Sequence, residues 1–423
     1  MPSRVFGTHQ LSEVYVNAVI RCAICFAAGL MLSQSLCAQT PANAVETTPV
    51  VASPTDAFKP RNRQLLYVSL PGTLEAPGFR NGLGLVVLDV NDDWHFVKRV
   101  PTWDTPASMS PEQVAGVTAS PITNMIYVAA RGRLGAFDLR TEKKVWEGVY
   151  DGKCCERPQV TPDGRYLVVG SDLQDYWYVV DPRTGKLLHK IQAPLSPSAH
   201  NLVLGPDGKW AFMSPNNPIL TIGDVATGKV IKTIQFSDHV RPFVLNHDAT
   251  RIYANINNLD GFEIADVATG KILKHIEVSG DWKAKWNRVP RARYGHGCPS
   301  HGIALVNNEK EIWVTDGVNT LIHIFDNTQE TPKEIATIKP SDNVYWFTIG
   351  LDGKYAYVSS GDIIDTKTRK IVGQMKDEFG RTMISEKLLD MTFVDGKLQR
   401  VSNQFGNGFG DINASGHTNM LSN

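Results

Sequence analysis

The sequence predicts an all-β protein: a seven-bladed β-propeller of four-stranded blades, closed by pairing of N- and C-terminal strands. Three observations predict it. A strand that ends in Asp, turns and resumes as a second strand occurs seven times. A second strand–turn–strand pattern, with a Pro-Asp-Gly-like turn, recurs between those copies at a nearly constant spacing. A last hairpin follows the seventh copy, where it can complete the blade that the chain opens midway.

The Asp copies read DVNDDWHFVKRV from Asp89, DLRTEKKVWEGV from Asp138, DPRTGKLLHKI from Asp181 and DVATGKVIKTI from Asp224. They continue as DVATGKILKHI from Asp266, DNTQETPKEIATI from Asp326 and DTKTRKIVGQM from Asp365. Asp accepts turn N–H groups, Thr-Gly supplies the flexible corner, and β-branched residues resume the strand. The second pattern includes VTPDGRYLVVGS (160–171), VLGPDGKWAFMS (203–214), VLNHDATRIYANI (244–256), ALVNNEKEIWVTD (304–316) and TIGLDGKYAYVSS (348–360). Its turn residues Asp163, Asp207, Asp248, Asn308, Asp352 and Asp395 are 41 to 44 apart, with one gap of 60. Four short strands per repeat at this period describe a propeller blade. The chain opens with QLLYVSLPG (64–72), and the hairpin LLDMTFVDGKLQRVSN (388–403) completes that blade. Such closure removes free sheet edges. The hairpin offers one strand more than the gap requires.

IYVAA, IWVTDG and AYVSSG beside these turns, with DVATGKVIKTI closing a blade, resemble the YVTN family of β-propeller repeat proteins. The resemblance runs from Gln64 to about Gly406. That family's members resemble surface-layer repeats, the propellers of haem-d1 and multicopper reductases, and some lactonases. The resemblance therefore implies the scaffold and leaves function to the site.

Lys+Arg and Asp+Glu are both 43 among 423 residues. A neutral chain has no global pull toward nucleic acid or an anionic membrane surface. Arg21 precedes a short apolar run (22–32), and Leu36-Cys37-Ala38 follows. This order predicts a signal peptide over 1–38, cleaved after Ala38, for a periplasmic or secreted protein. A flexible linker (39–61), the propeller (62–406) and a flexible tail (407–423) follow. No later stretch is apolar and long enough to span a membrane, and the expected state is a monomer.

In a propeller the innermost strand of each blade lines the axial channel. Counting seven residues back from each turn residue aligns the strand heads: Glu156, His200, Arg241, His301 and Tyr345, with Ala115 and Leu388 in poorer copies. Arg157, Asn201, Trp346 and Asp390 are neighbours. These side chains are expected to converge on one axial pocket. A wet channel mouth carries polar residues for solvation alone. Two His, one Glu and two Arg are, beyond that, the types that hold metals or carboxylates.

The gap of 60 comes from an insertion at 279–300, SGDWKAKWNRVPRARYGHGCPS. It carries Lys283, Lys285, Arg288, Arg291 and Arg293, with Trp282, Trp286 and Tyr294 between them, and leads into His301. A basic, aromatic flap over the pocket suits an anionic or aromatic ligand. Cys154 and Cys155 precede Glu156, and Cys298 precedes His301. Three arrangements are open: a strained vicinal disulfide between Cys154 and Cys155, a bridge from either to Cys298, or a soft-metal site with His296 or His301.

GxSxG, HExxH, Walker and CxxCH signatures are missing. The first functional expectation is a binding module for a small, anionic ligand or a periplasmic partner protein. In that case the contacts are Arg157, Asn201, Arg241, Tyr345, Trp346, Trp282, Trp286 and Arg293. The alternative is a lactonase-like hydrolase or redox-associated enzyme, with His301, His200 and Glu156 as catalytic or divalent-metal candidates. No cofactor is named by the sequence.

Overall fold

The computed structural model describes residues 62–69, 84–102, 114–130, 132–151, 154–171, 173–194, 198–287 and 298–403, with 412–413. The expected signal peptide and almost all of the expected linker and tail lie outside these residues. So do Arg288, Arg291, Arg293, Tyr294 and His296 of the insertion.

The chain enters with three strands of the first blade, β1 (Arg63–Ser69), β2 (Leu85–Asp89) and β3 (His95–Val100). The second blade holds β4 (Val114–Ser120), β5 (Met125–Ala130), β6 (Arg133–Asp138) and β7 (Lys144–Gly148). The third holds β8 (Glu156–Val160), β9 (Leu167–Gly170), β10 (Tyr176–Val180) and β11 (Leu187–Gln192). The fourth holds β12 (Ala199–Leu204), β13 (Trp210–Pro215), β14 (Ile219–Asp224) and β15 (Val230–Gln235). The fifth holds β16 (Val240–Leu245), β17 (Arg251–Ile256), β18 (Gly261–Asp266) and β19 (Ile272–Glu277). A short helix, α1 (Trp282–Trp286), follows. The sixth blade holds β20 (Ile303–Val306), β21 (Glu311–Asp316), β22 (Leu321–Asp326) and β23 (Lys333–Ile338). The seventh holds β24 (Phe347–Ile349), β25 (Tyr355–Val358), β26 (Asp362–Asp365) and β27 (Lys370–Gln374). Then come β28 (Lys387–Val394), β29 (Lys397–Val401) and β30 (Ile412–Asn413).

Every sheet is antiparallel, and six of the seven have four strands in sequence order. Innermost strands β4, β8, β12, β16, β20, β24 and β28 touch one another in turn, and β28 returns to β4, so the blades form a closed ring. Each of the seven turn aspartates performs the role its position predicts. The Asp89 side chain accepts the Asn91 N–H at 3.0 Å, Asp224 the Thr227 N–H at 2.8 Å, and Asp365 the Thr368 N–H at 2.7 Å. Asp138, Asp181, Asp266 and Asp326 do the same.

Alternation along the strands explains the core. In β1, Leu65 and Tyr67 pack toward the second blade, while Leu66 and Val68 pack toward the seventh. Both faces of a blade are covered by neighbours, so successive side chains are all buried and the strand reads as one apolar run.

Closure uses β28, which pairs with β1 from Arg63↔Phe393 to Ser69↔Lys387. The surplus strand β29 pairs with β28 on the edge opposite β1, with Met391 opposite Val401. That edge faces the axis, and β29 lies toward the far end of the channel from the strand heads. It is fixed there by Leu398 N–H to Asn124 Oδ1 (3.2 Å) and Arg400 Nη2 to the Leu351 carbonyl (3.3 Å). β30 adds to β29 within the stretch expected as tail.

Candidate functional site

The strand heads are aimed by two local devices. In the second to fifth blades the innermost strand carries a register shift at its head: Val114/Gly116, Glu156/Gln159, Ala199/Asn201 and Val240/Phe243. A bulge of this kind bends the strand and re-aims its side chains. In the sixth and seventh blades a hydroxyl on the next strand does the work. Thr315 Oγ1 accepts the His301 N–H at 3.2 Å, and Ser359 Oγ accepts the Tyr345 N–H at 2.9 Å.

Two glycines permit the blades to approach here. A Cβ on Gly116 would lie 2.6 Å from the Arg157 N and Cα, and one on Gly302 would lie 3.0 Å from the Trp346 N and Cα. Arg157 itself has φ of 45°, in the left-handed region that a long side chain rarely adopts. Strain of this type marks places where surrounding structure holds a side chain in position.

The heads of five blades are joined by contacts across the mouth. His200 Nδ1 lies 2.6 Å from Glu156 Oε2. Arg157 pairs with Glu156 (Nε–Oε1, 3.5 Å) and with Glu386 (Nη2–Oε2, 3.5 Å). Lys387 Nζ donates to the same Glu386 Oε2 at 2.8 Å. The Arg157 guanidinium lies 4.4 Å from the Trp346 ring centroid, and the Lys387 ammonium lies 4.6 Å from it. His301 sits 6.1 Å from the same ring, with its Nδ1 3.3 Å from the Tyr345 carbonyl.

Electrostatics follow from this packing. Burial pushes the Glu156 carboxyl up, but His200, Arg157 and Lys387 outweigh it and hold the group at about 2. Burial and the adjacent Arg157 bring Lys387 down to about 8, against the pull of Glu386 and Glu156. Arg157 is only 2% exposed, yet its Nε and Nη1 have no hydrogen-bond partner. The Asn201 amide, 1% exposed, likewise has neither polar atom bonded. His200 Nδ1 faces Glu156, and its Nε2 on the other side of the ring is buried with no hydrogen-bond partner.

Not every candidate joins this cluster. Arg241 turns to Asn257 Oδ1 at 2.5 Å and lies near Cys298 and Asp238; burial lowers its pKa. Leu388 does not head its strand: it packs in the core between the first and seventh blades, and Lys387 occupies the head. Counting seven back falls one residue short there because β28 is eight residues long, the longest of the innermost strands. The charged pair Glu386-Lys387 before an apolar strand was the signal for that head. Asp390 lies deeper, with Oδ2 accepting from Gln64 (2.8 Å) and the Leu351 N–H (3.0 Å); burial raises it to about 7.

Cys154 and Cys155 form a vicinal disulfide, and both are buried. Cys298 is a buried free thiol, pushed up to about 12 by burial. Bridges to Cys298 are therefore not formed. Among the described residues no three His, Cys, Asp or Glu side chains converge as a metal site requires. Glu156 and His200 pair with each other instead.

The described part of the insertion is anchored rather than free. Trp282, 4% exposed, is part of the core of the fourth to sixth blades, and Trp286 packs against it. Lys283 pairs with Glu277 at 2.9 Å, and Lys285 donates to Asn319 Oδ1 at 2.6 Å. One polar chain holds both ends. Ser279 donates to Glu334, His323 bridges Glu334 and Asp316, Asp316 lies close to Asp260, and Ser300 donates to Asp260 at 2.7 Å. These polar residues have no motif in sequence.

No protein-family model matches this chain, and no curated protein matches it. Among solved structures it is similar to the hydrazine synthase of Kuenenia stuttgartiensis, at 18% identity and a TM-score of 0.47, covering 62% of this chain and 81% of that one.

Proposed function

We propose that this chain is an exported binding propeller of the YVTN type, whose axial mouth takes a small carboxylate-bearing ligand. The observation that carries this reading is Arg157. A guanidinium that is 2% exposed, stacked on an indole and short of two hydrogen-bond acceptors is poised to receive a planar anion. Lys387 adds a second cation over the same ring. Glu156 and Glu386 pair with these cations, which lowers the cost of burying the charges. Export is supported by the signal-like segment at 1–38 and by a disulfide that suits an oxidising compartment.

The His200–Glu156 pair favours a second reading. An imidazole fixed by a carboxylate, with its other nitrogen open, is the arrangement of a general base. A lactonase-like hydrolase would use it on a ligand held by Arg157.

Calorimetric titration of the purified protein with small mono- and dicarboxylates tests the binding reading. Saturable binding that Arg157→Gln weakens by about ten- to a hundredfold is expected, the range for losing a charged hydrogen bond. Binding unchanged in that variant sinks it. Steady turnover of a lactone that His200→Gln abolishes would favour the hydrolase.

A further inference from the structure

We propose that Lys387 is a carbonyl-reactive amine, and that the ligand class of the mouth is a small 2-oxo acid, which condenses with Lys387 to an imine while Arg157 holds its carboxylate. The proposal rests on the reading of Arg157 as a carboxylate site and adds the chemistry of the second cation.

The geometry is specific. Lys387 Nζ and Arg157 Nη2 surround a single oxygen, Glu386 Oε2, at 2.8 and 3.5 Å. Both cations also lie over the Trp346 indole. Amine and guanidinium are thus arranged to meet adjacent carbons of one small molecule, as the carbonyl and carboxylate of a 2-oxo acid are. Lys387 is 2% exposed, and it stands at the mouth beside the part-exposed Glu386, Glu156 and His200.

A lysine that is desolvated and placed beside another cation has a much larger free-amine fraction at neutral pH than an exposed lysine, and only the free amine is nucleophilic. Burial and Arg157 give Lys387 that property. In the step proposed, Nζ attacks the carbonyl carbon and a C–N bond forms. The two amine hydrogens leave with the carbonyl oxygen as water, relayed by Glu386, which already accepts from Nζ. The product is an imine, and no oxidant or reductant takes part.

Lys98 is an internal control. Burial and Arg63 lower it to about 8 as well, but it pairs with Glu142 on the second blade's side, and the Arg63 beside it is ion-paired with Asp89 at 2.7 Å. A low pKa alone would label both lysines; the proposal selects Lys387.

The test uses the full protein with pyruvate and cyanoborohydride at about pH 7.5, followed by peptide mass mapping. The Lys387 peptide is expected to gain pyruvate less water plus two hydrogens, about a hundredfold ahead of exposed lysines given their free-amine fractions. Lactate, which has no keto group, should protect it, and Arg157→Gln should slow it. Lys387→Arg, which has no amine able to condense, should remove the adduct. Labelling spread over surface lysines, or strongest on Lys98, overturns the proposal. An unlabelled Lys387 with lactate binding that depends on Arg157 overturns it and leaves the carboxylate site standing. Absence of both lactate binding and labelling removes the two together.

Discussion

The guanidinium of Arg157, from the third blade, lies over the indole of Trp346, from the seventh, 4.4 Å from its centroid. Opposite sectors of the ring therefore meet at one point above the channel. His200, Glu156, His301, Glu386 and Lys387 are gathered around that contact.

Gly116 is what lets Arg157 stand there. Gly116→Ala would place a methyl 2.6 Å from the Arg157 backbone, which is itself held at a strained φ. The blade backbones must separate, so thermal stability should fall by about 1–3 kcal/mol, the usual range for overpacking. Carboxylate affinity should fall with it. Thermal melts and calorimetry check both; an unaffected affinity would show that Arg157 is not positioned through Gly116.

Glu156 makes the mouth sensitive to acid. Its pKa in the folded protein, about 2, lies below the ordinary 4.5. Between those values the unfolded chain binds more protons, so stability present above about pH 4.5 is lost as pH falls toward 2. Glu156→Gln should flatten the stability curve in that window. Denaturant midpoints measured from pH 5 to about 2 would show it.

Asp390 has the opposite sign. Burial raises it from 3.8 to about 7, so between those values the native state binds more protons and stability falls as pH rises. Asn keeps an acceptor for Gln64 and Leu351 without the charge. Asp390→Asn should therefore raise the melting temperature relative to the wild type at about pH 8 and much less at about pH 4.

The scaffold was legible because its signals are local. A turn Asp and an alternating strand each act within a few residues, and seven aspartates cap seven hairpins as their positions require. The site was legible only as far as counting could carry it. Glu156, His200, His301 and Tyr345 head their strands, whereas the count landed on Leu388, one residue inside an innermost strand that is eight residues long. Arg241 is a head residue whose side chain is drawn aside by Asn257. Trp282 shows a further limit: an aromatic residue suits a ligand or a core equally well in sequence, and only the packing of the fourth to sixth blades decides it.

That assignment is itself testable. Trp282→Ala should lower stability by about 3–5 kcal/mol, as deletion of a buried aromatic does. Ligand affinity of the folded protein should be nearly unchanged. A selective loss of affinity with little loss of stability would place Trp282 in the site instead.

The most direct measurement of the central claim is the side-chain Nε–Hε resonance of Arg157, assigned with the Arg157→Gln variant, during titration with a small carboxylate. The account predicts a saturable shift of that resonance at the concentration where calorimetry reports binding. A resonance that stays put while the carboxylate binds, or a protein that binds none, would contradict it.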